Sequence, residues 1–136
     1  MASRDLHDNI GVSVALNTGA ISSNTTTSGA IIDTAGFESI EFVIQSGTLT
    51  DGSYAPTITE GNESNLSDGS ATAAADLLGT AAAATFVAAD DNAAKKIGYK
   101  GGKRYVRLNV VSTGVTTGGT LSAVAIKGNA RSKPVA

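Results

Sequence analysis

The residues best suited to chemistry lie in one stretch, IGYKGGKRYVRLNVV, from Ile97 to Val111. Lys100, Lys103, Arg104 and Arg107 set four cations around a Gly-Gly pair, with Tyr99 and Tyr105 beside them. Two ligands suit that composition: a phosphate cradled by glycine backbone, or nucleic-acid bases stacked on tyrosine rings. A Walker phosphate loop needs G-x-x-x-x-G-K followed by Ser or Thr. Here the first position is Ile97 and the last is Arg104, so the nucleotide cradle is excluded. Gly101-Gly102 is expected instead to make a tight turn with positive φ between two strands. Nucleic-acid binding is disfavoured, because the chain is acidic, with net charge −2 and pI ≈ 5.2, whereas a dedicated binder is basic.

Other chemistry lacks its residues. His7 is the only histidine and there is no cysteine, which leaves no composition for an ordinary zinc site. A Ser/His/Asp triad would have to use His7 in the N-terminal segment, and no nucleophile-elbow motif accompanies it. The carboxylate pairs Glu38/Glu41, Glu60/Glu63 and Asp90/Asp91 fall in loops or at outward strand positions rather than in a cleft. The loop from Glu60 to Asp68 is rich in oxygen ligands but lacks EF-hand spacing. No catalytic residue, cofactor or metal is assigned, and the chain is read as not an enzyme.

The elements that would carry these residues are strands. Period-2 alternation recurs, while helical periodicity is poor. In Gly11–Leu16, the residues Val12, Val14 and Leu16 fall on one side; the polar run Asn17–Ser28 reads as a loop. Ala30–Asp33 is a short strand, and Phe37–Ser46 the clearest one, with Ile40, Phe42 and Ile44 facing one way. Tyr54–Glu60 is a strand whose Pro56 asks for an edge or a strand start. The Ala-rich segment after residue 71 is expected to give short strands near Ala74–Leu78 and Ala84–Ala88, with a helical turn near Ala81 as the alternative. Ile97–Tyr99 and Lys103–Val111 follow, the second with Val106, Leu108 and Val110 inward. Leu121–Lys127 closes the sheet with Val124 and Ile126 inward.

About eight strands at such spacing predict an all-β, single-domain β-sandwich, jelly-roll or immunoglobulin-like. Its 136 residues form one domain, with a flexible N-terminal arm at about 1–9 and a C-terminal tail at about 128–136. The first ten residues, MASRDLHDNI, hold acids where a secretory signal needs an apolar run, and no stretch approaches the ~20 apolar residues that span a membrane.

Charge is segregated along the chain. Residues 1–91 hold all twelve acids and one base, Arg4, while the other nine bases run from Lys95 to Lys133. In a single domain these halves must interleave, so charge matching between strands is the first expectation. A minority of the charges are left for partners.

Beyond composition, the order of segments resembles a known family. MASRDLHDNI…ALN, GAIIDTAGFESIEFVIQSGTLTDGSYAPTITEG, ADLLGT, KKIGYKGGKRYVRLNVV and SAVAIKGNARSKPVA resemble the small structural proteins of tailed bacteriophages encoded near the major capsid protein. FESIEFVIQ, IGYKGGKRYVR and AVAIKGN…PVA are the most specific pieces. The resemblance implies a virion component, made in the host bacterial cytoplasm and bound to the capsid surface as a decoration, or cement, protein. Its implied partners are the major capsid protein and further copies of itself, as a homodimer or homotrimer at local symmetry axes. Candidate capsid or subunit contacts are Arg4, His7, Lys103, Arg104, Tyr105, Arg107, Arg131 and Lys133. The alternatives are a head-completion or tail-associated β-sandwich, or a carbohydrate-binding module. The last is disfavoured because no Trp and only three Tyr are present to stack on sugars.

Overall fold

The computed structural model describes residues 4–132 and Val135. Its strands are β1 (Gly11–Ile21), β2 (Thr26–Asp33), β3 (Phe37–Leu49), β4 (Ser53–Gly61), β5 (Ser70–Ala71), β6 (Leu77–Leu78), β7 (Phe86–Val87), β8 (Ala94–Tyr99), β9 (Tyr105–Thr113) and β10 (Gly119–Ala130). They form two antiparallel sheets, one ordered β1-β10-β3-β8-β6 and the other β2-β9-β4-β5, with β7 also paired to β4. Among the described residues the only helical pieces are three-residue 3-10 turns, and none is long and apolar enough to cross a membrane.

The chain crosses between the sheets at every step from β1 to β4 and again from β8 to β10. The last strand returns between the first and the third. This is the double Greek key of a jelly roll, and it decides against the immunoglobulin-like alternative. It also explains the segregated charges. Apart from the short ladders of β5 and β7, every pairing joins a strand before residue 92 to a strand after it. The three ion pairs among the described residues, Asp33–Arg104, Glu38–Arg131 and Asp90–Lys95, each join an acid of the first part to a base of the second.

Alternation places the core correctly in the central strands. Ile40, Phe42 and Ile44 of β3 and Val106, Leu108 and Val110 of β9 are all buried between the sheets, with Tyr54, Phe86 and Ile97. Removing such a side chain from water contributes about 1.5–3 kcal/mol each. Pro56 is buried in β4, yet costs no ladder bond. β4 is not the edge strand that Pro56 asked for, but Thr72 donates to the Ile58 carbonyl from the side away from β9, so the same-parity Pro56 turns its main chain that way, into the unpaired gap between β7 and β5.

Two rows come out differently: the side shared by Val12, Val14 and Leu16 is divided, and the row read as inward on β10 faces out. Val12 and Val14 are 61% and 54% exposed, while Ala15 and Leu16 are both buried. A bulge shifts the β1–β10 register between Val14 and Leu16 and turns two successive residues inward. On β10 the inward residues are Ala123 and Ala125, whereas Val124 and Ile126 face out. The register gives the reason: Ala125 lies beside Phe42 and Ala123 beside Ile44. In a close-packed interior, bulky residues on β3 leave room only for methyl groups on β10.

Element boundaries move for simpler reasons. Most of Asn17–Ser28 is strand, leaving residues 22–25 as the loop. Both strands involved pair along one main-chain edge, β1 with β10 and β2 with β9, so their Ser and Thr side chains stay in water. The Ala-rich segment contains both alternatives: 3-10 turns at Ala74–Asp76 and Ala88–Asp90, two-residue strands, and a turn closed by Ala84 N–H on Thr80 O. β10 runs to Ala130, past the expected start of the tail at Gly128.

Candidate functional site: the charged end of the sandwich

Antiparallel pairing decides which residues meet. Gly11 at the start of β1 pairs with Lys127 near the end of β10, and Phe37 at the start of β3 pairs with Ala130. Tyr105 at the start of β9 pairs with Asp33 and Gly61, the last residues of β2 and β4. Loops 34–36, 62–69 and 100–104 therefore gather at one end of the sandwich with the segments that flank the domain. Val135 N–H donates to the Asp8 carbonyl, joining those two segments directly.

Six sequence candidates come together here. Arg4 and His7 are exposed ahead of β1, His7 within the turn His7–Asn9. Lys103, Arg104 and Tyr105 lead into β9, and Arg131 follows β10. Arg107 does not join them. It lies farther along β9, on the outer face between Ile31 and Thr59, with its Nε enclosed and without an acceptor among the described residues. Lys133 lies outside the described residues.

A cleft of about 380 Å³ opens at this end, bordered by Phe37, Tyr99, Gly101, Gly102, Lys103 and Arg131. Its floor is a hydrogen-bonded strut. The Tyr99 hydroxyl donates to Glu60 Oε2 at 2.6 Å and accepts the Lys103 N–H at 3.0 Å. Burial and the Glu60 carboxylate push that hydroxyl far above its ordinary range, so it stays protonated and keeps donating to Glu60 at neutral pH. Gly101 has no positive φ, and neither does Gly102, contrary to the sequence expectation. The need at Gly101 is space: a Cβ there would lie 2.5 Å from the Tyr99 hydroxyl and 2.6 Å from the ring.

Electrostatically this end carries both signs. Arg104 grips Asp33 with two hydrogen bonds, Nε to Oδ1 at 2.9 Å and a terminal nitrogen to Oδ2 at 3.0 Å, and lies 5.0 Å from the Tyr105 ring centre. That contact holds the Asp33 carboxyl below its usual range and raises the guanidinium further. Arg131 pairs with Glu38. Asp68 turns both oxygens onto the N–H groups of Asn62 and Glu63, which keeps it ionised and uses the oxygen-rich loop to brace itself. Exposed Lys100 and Lys103 make no side-chain hydrogen bond or ion pair among the described residues. The result is a platform of matched, solvent-exposed charges with the Lys100 and Lys103 ammonium groups outside any ion pair among the described residues. It can orient a protein surface, and it is not a continuous cationic strip.

Sequence inspection missed Tyr99–Glu60, Asp33 and Glu38 as parts of this site. Each is joined to its partner across 39 residues or more, and no local pattern announces such pairs.

The fold and this end define a small jelly-roll β-sandwich. Two solved structures share the architecture. YomS, a protein derived from the SPBc2 prophage, matches with a TM-score of 0.54 at 19% identity, over 88% of this chain and 92% of that one. The PBSX exported protein XepA matches with a TM-score of 0.56 at 16% identity. The match takes in 93% of this chain but 39% of XepA, so the chain spans well under half of that protein. At these identities the likeness is one of fold. No protein family and no curated protein matches the sequence.

Proposed function

We propose that this chain is a non-enzymatic bacteriophage structural protein that binds the outer capsid surface as a decoration protein. The observation that carries the reading is the gathering of the domain's flanking segments, the GYKGGKR loop and two unmatched lysines at one end of a jelly roll. Two architectural likenesses come from phage-derived proteins, and the ordered sequence segments resemble phage structural proteins. Mechanically, the part-buried Tyr99 hydroxyl ties loop 100–104 to β4, which lowers the ordering cost when it docks. Lys100 and Lys103 meet acidic groups of the shell and set orientation more than raw affinity. Repetition over many identical shell positions then supplies avidity.

Cosedimentation with capsids that lack the protein tests this. Wild-type protein saturates regular shell positions, and added salt weakens the binding. The double variant Lys100→Glu/Lys103→Glu binds at least ~10-fold more weakly, a change of ~1.4 kcal/mol. Ser22→Glu, in the loop at the opposite end, binds like wild type. Shells that ignore the protein while tails or polysaccharide retain it would assign the chain to another virion part or to sugar binding.

A further inference from the structure

The two corrected rows leave an unusual surface. Val12, Val14, Val124 and Leu78 are 61%, 54%, 36% and 49% exposed on the outer face of the β1-β10-β3-β8-β6 sheet. Cross-strand register makes most of this one patch: Val12 pairs with Ile126, and Val14 with Val124, which pairs in turn with Val43. A sheet face that meets water normally reads polar, and strands apolar on both faces belong to sheets covered on both sides. Apolar patches of this kind on a soluble domain mark interaction surfaces.

We infer that a second copy of this chain covers this face, in a twofold dimer packed sheet to sheet. Charge is the first argument. Glu41 and Lys96 are the acid and base beside the patch, on neighbouring strands β3 and β8, and they make no ion pair within one copy. One acid and one base make the face self-complementary: a twofold axis sets Glu41 of each copy against Lys96 of the other. Burial pushes the Glu41 carboxyl up more than Lys96 of the same copy draws it down, and a second cation across the interface offsets the remainder. Area is the second argument. Strands β1, β10, β3, β8 and β6, ~4.8 Å apart and rising ~3.3 Å per residue, present roughly 700 Å², against the ~800 Å² per partner of a standard stable interface. The face adjoins the charged end, since Glu41, Leu78 and Ile126 line one cavity with Lys100 and Glu38, whereas Lys103 lines the separate cleft beyond it.

Sedimentation velocity with light scattering tests the inference without any capsid. The chain mass is 13.5 kDa, and wild-type protein is expected at twice that mass at concentrations of about 50 µM. Val124→Glu is expected as a monomer with an unchanged circular-dichroism spectrum. Glu41→Lys and Lys96→Glu each weaken dimerisation ~10-fold or more, and the double exchange restores it. A wild-type monomer, a dimeric Val124→Glu, or a double exchange no better than the single ones would each overturn the inference. If free protein is monomeric and this face gains protection from hydrogen exchange only on capsids, the shell is the occupant and the second copy is excluded. Dimerisation without shell binding would instead fail the decoration role and leave this inference standing.

Discussion

Substituting Gly29 by Ala probes the seam where the two sheets touch. Gly29 sits in β2 where pairing with β9 is irregular, between Ser28 and Ile31. A Cβ there would lie 2.0 Å from the Ala15 carbonyl oxygen and 2.7 Å from that of Leu108. Carbon and oxygen settle at about 3.3 Å or more, so the two backbones must retreat by ~1.3 Å and ~0.6 Å. One belongs to β1 and the other to β9, and neither can swing aside as a side chain would. Overpacking costs about 1–3 kcal/mol, and a backbone obstacle on both sides puts this case near ~3 kcal/mol. Restricting the unfolded chain returns about 0.4–1 kcal/mol, leaving a net loss of ~2–3 kcal/mol. For a chain of 136 residues, 1 kcal/mol corresponds to ~3–4 °C, so the melting temperature falls by ~7–10 °C. Thermal unfolding by circular dichroism, supported by urea titration, reads this directly. Gly102→Ala is the control: no atom lies within 4 Å of its Cβ, and its melting temperature stays level or rises by ~2–3 °C. If Gly29→Ala melts with wild type, β1 and β2 do not close on each other as described, and the steric reasoning fails.

Three further outcomes follow from the same geometry. Leu16→Ala lowers stability by ~2–5 kcal/mol, whereas Val14→Ser changes monomer stability by less than ~0.5 kcal/mol; equal losses in urea titrations would remove the bulge between them. Tyr99→Phe severs both the Glu60 and the Lys103 bonds, costs ~1–3 kcal/mol, and speeds amide exchange in loop 100–104; an unaltered loop would show that the strut holds nothing. Asp33, Asp51, Asp68 and Asp90 all have carboxyls held below their ordinary range by hydrogen bonds. The unfolded chain takes up those protons first, near pH 4. The stability they give is therefore complete above that pH and lost as pH falls through it and below. Asp51, which accepts N–H bonds from Thr116, Thr117 and Gly118, accounts for part of that loss, so Asp51→Asn flattens the acid limb of a urea-midpoint profile.

What was legible depended on whether the information was local. Strand content, the core faces of β3 and β9 and the absence of a Walker loop all rest on residues within a few positions of one another. Alternation and motif spacing are local properties, and the chain states them directly. The charge asymmetry was legible too, but only as a sum; the jelly-roll order turned it into alternating strands and named the pairs Asp33–Arg104 and Glu38–Arg131.

The inward faces of β1 and β10 were not legible, because the usual preference for the larger apolar residue inside gives the wrong answer there. Val124 loses to Ala125 only because Phe42 occupies the space on the neighbouring strand, and Val14 loses to Ala15 only because of a bulge. The sequence by itself determined a β-sandwich with a segregated charge and a basic glycine loop. Tertiary structure alone decided which apolar residues were left outside, since volume in a close-packed core is shared between strands far apart in the chain.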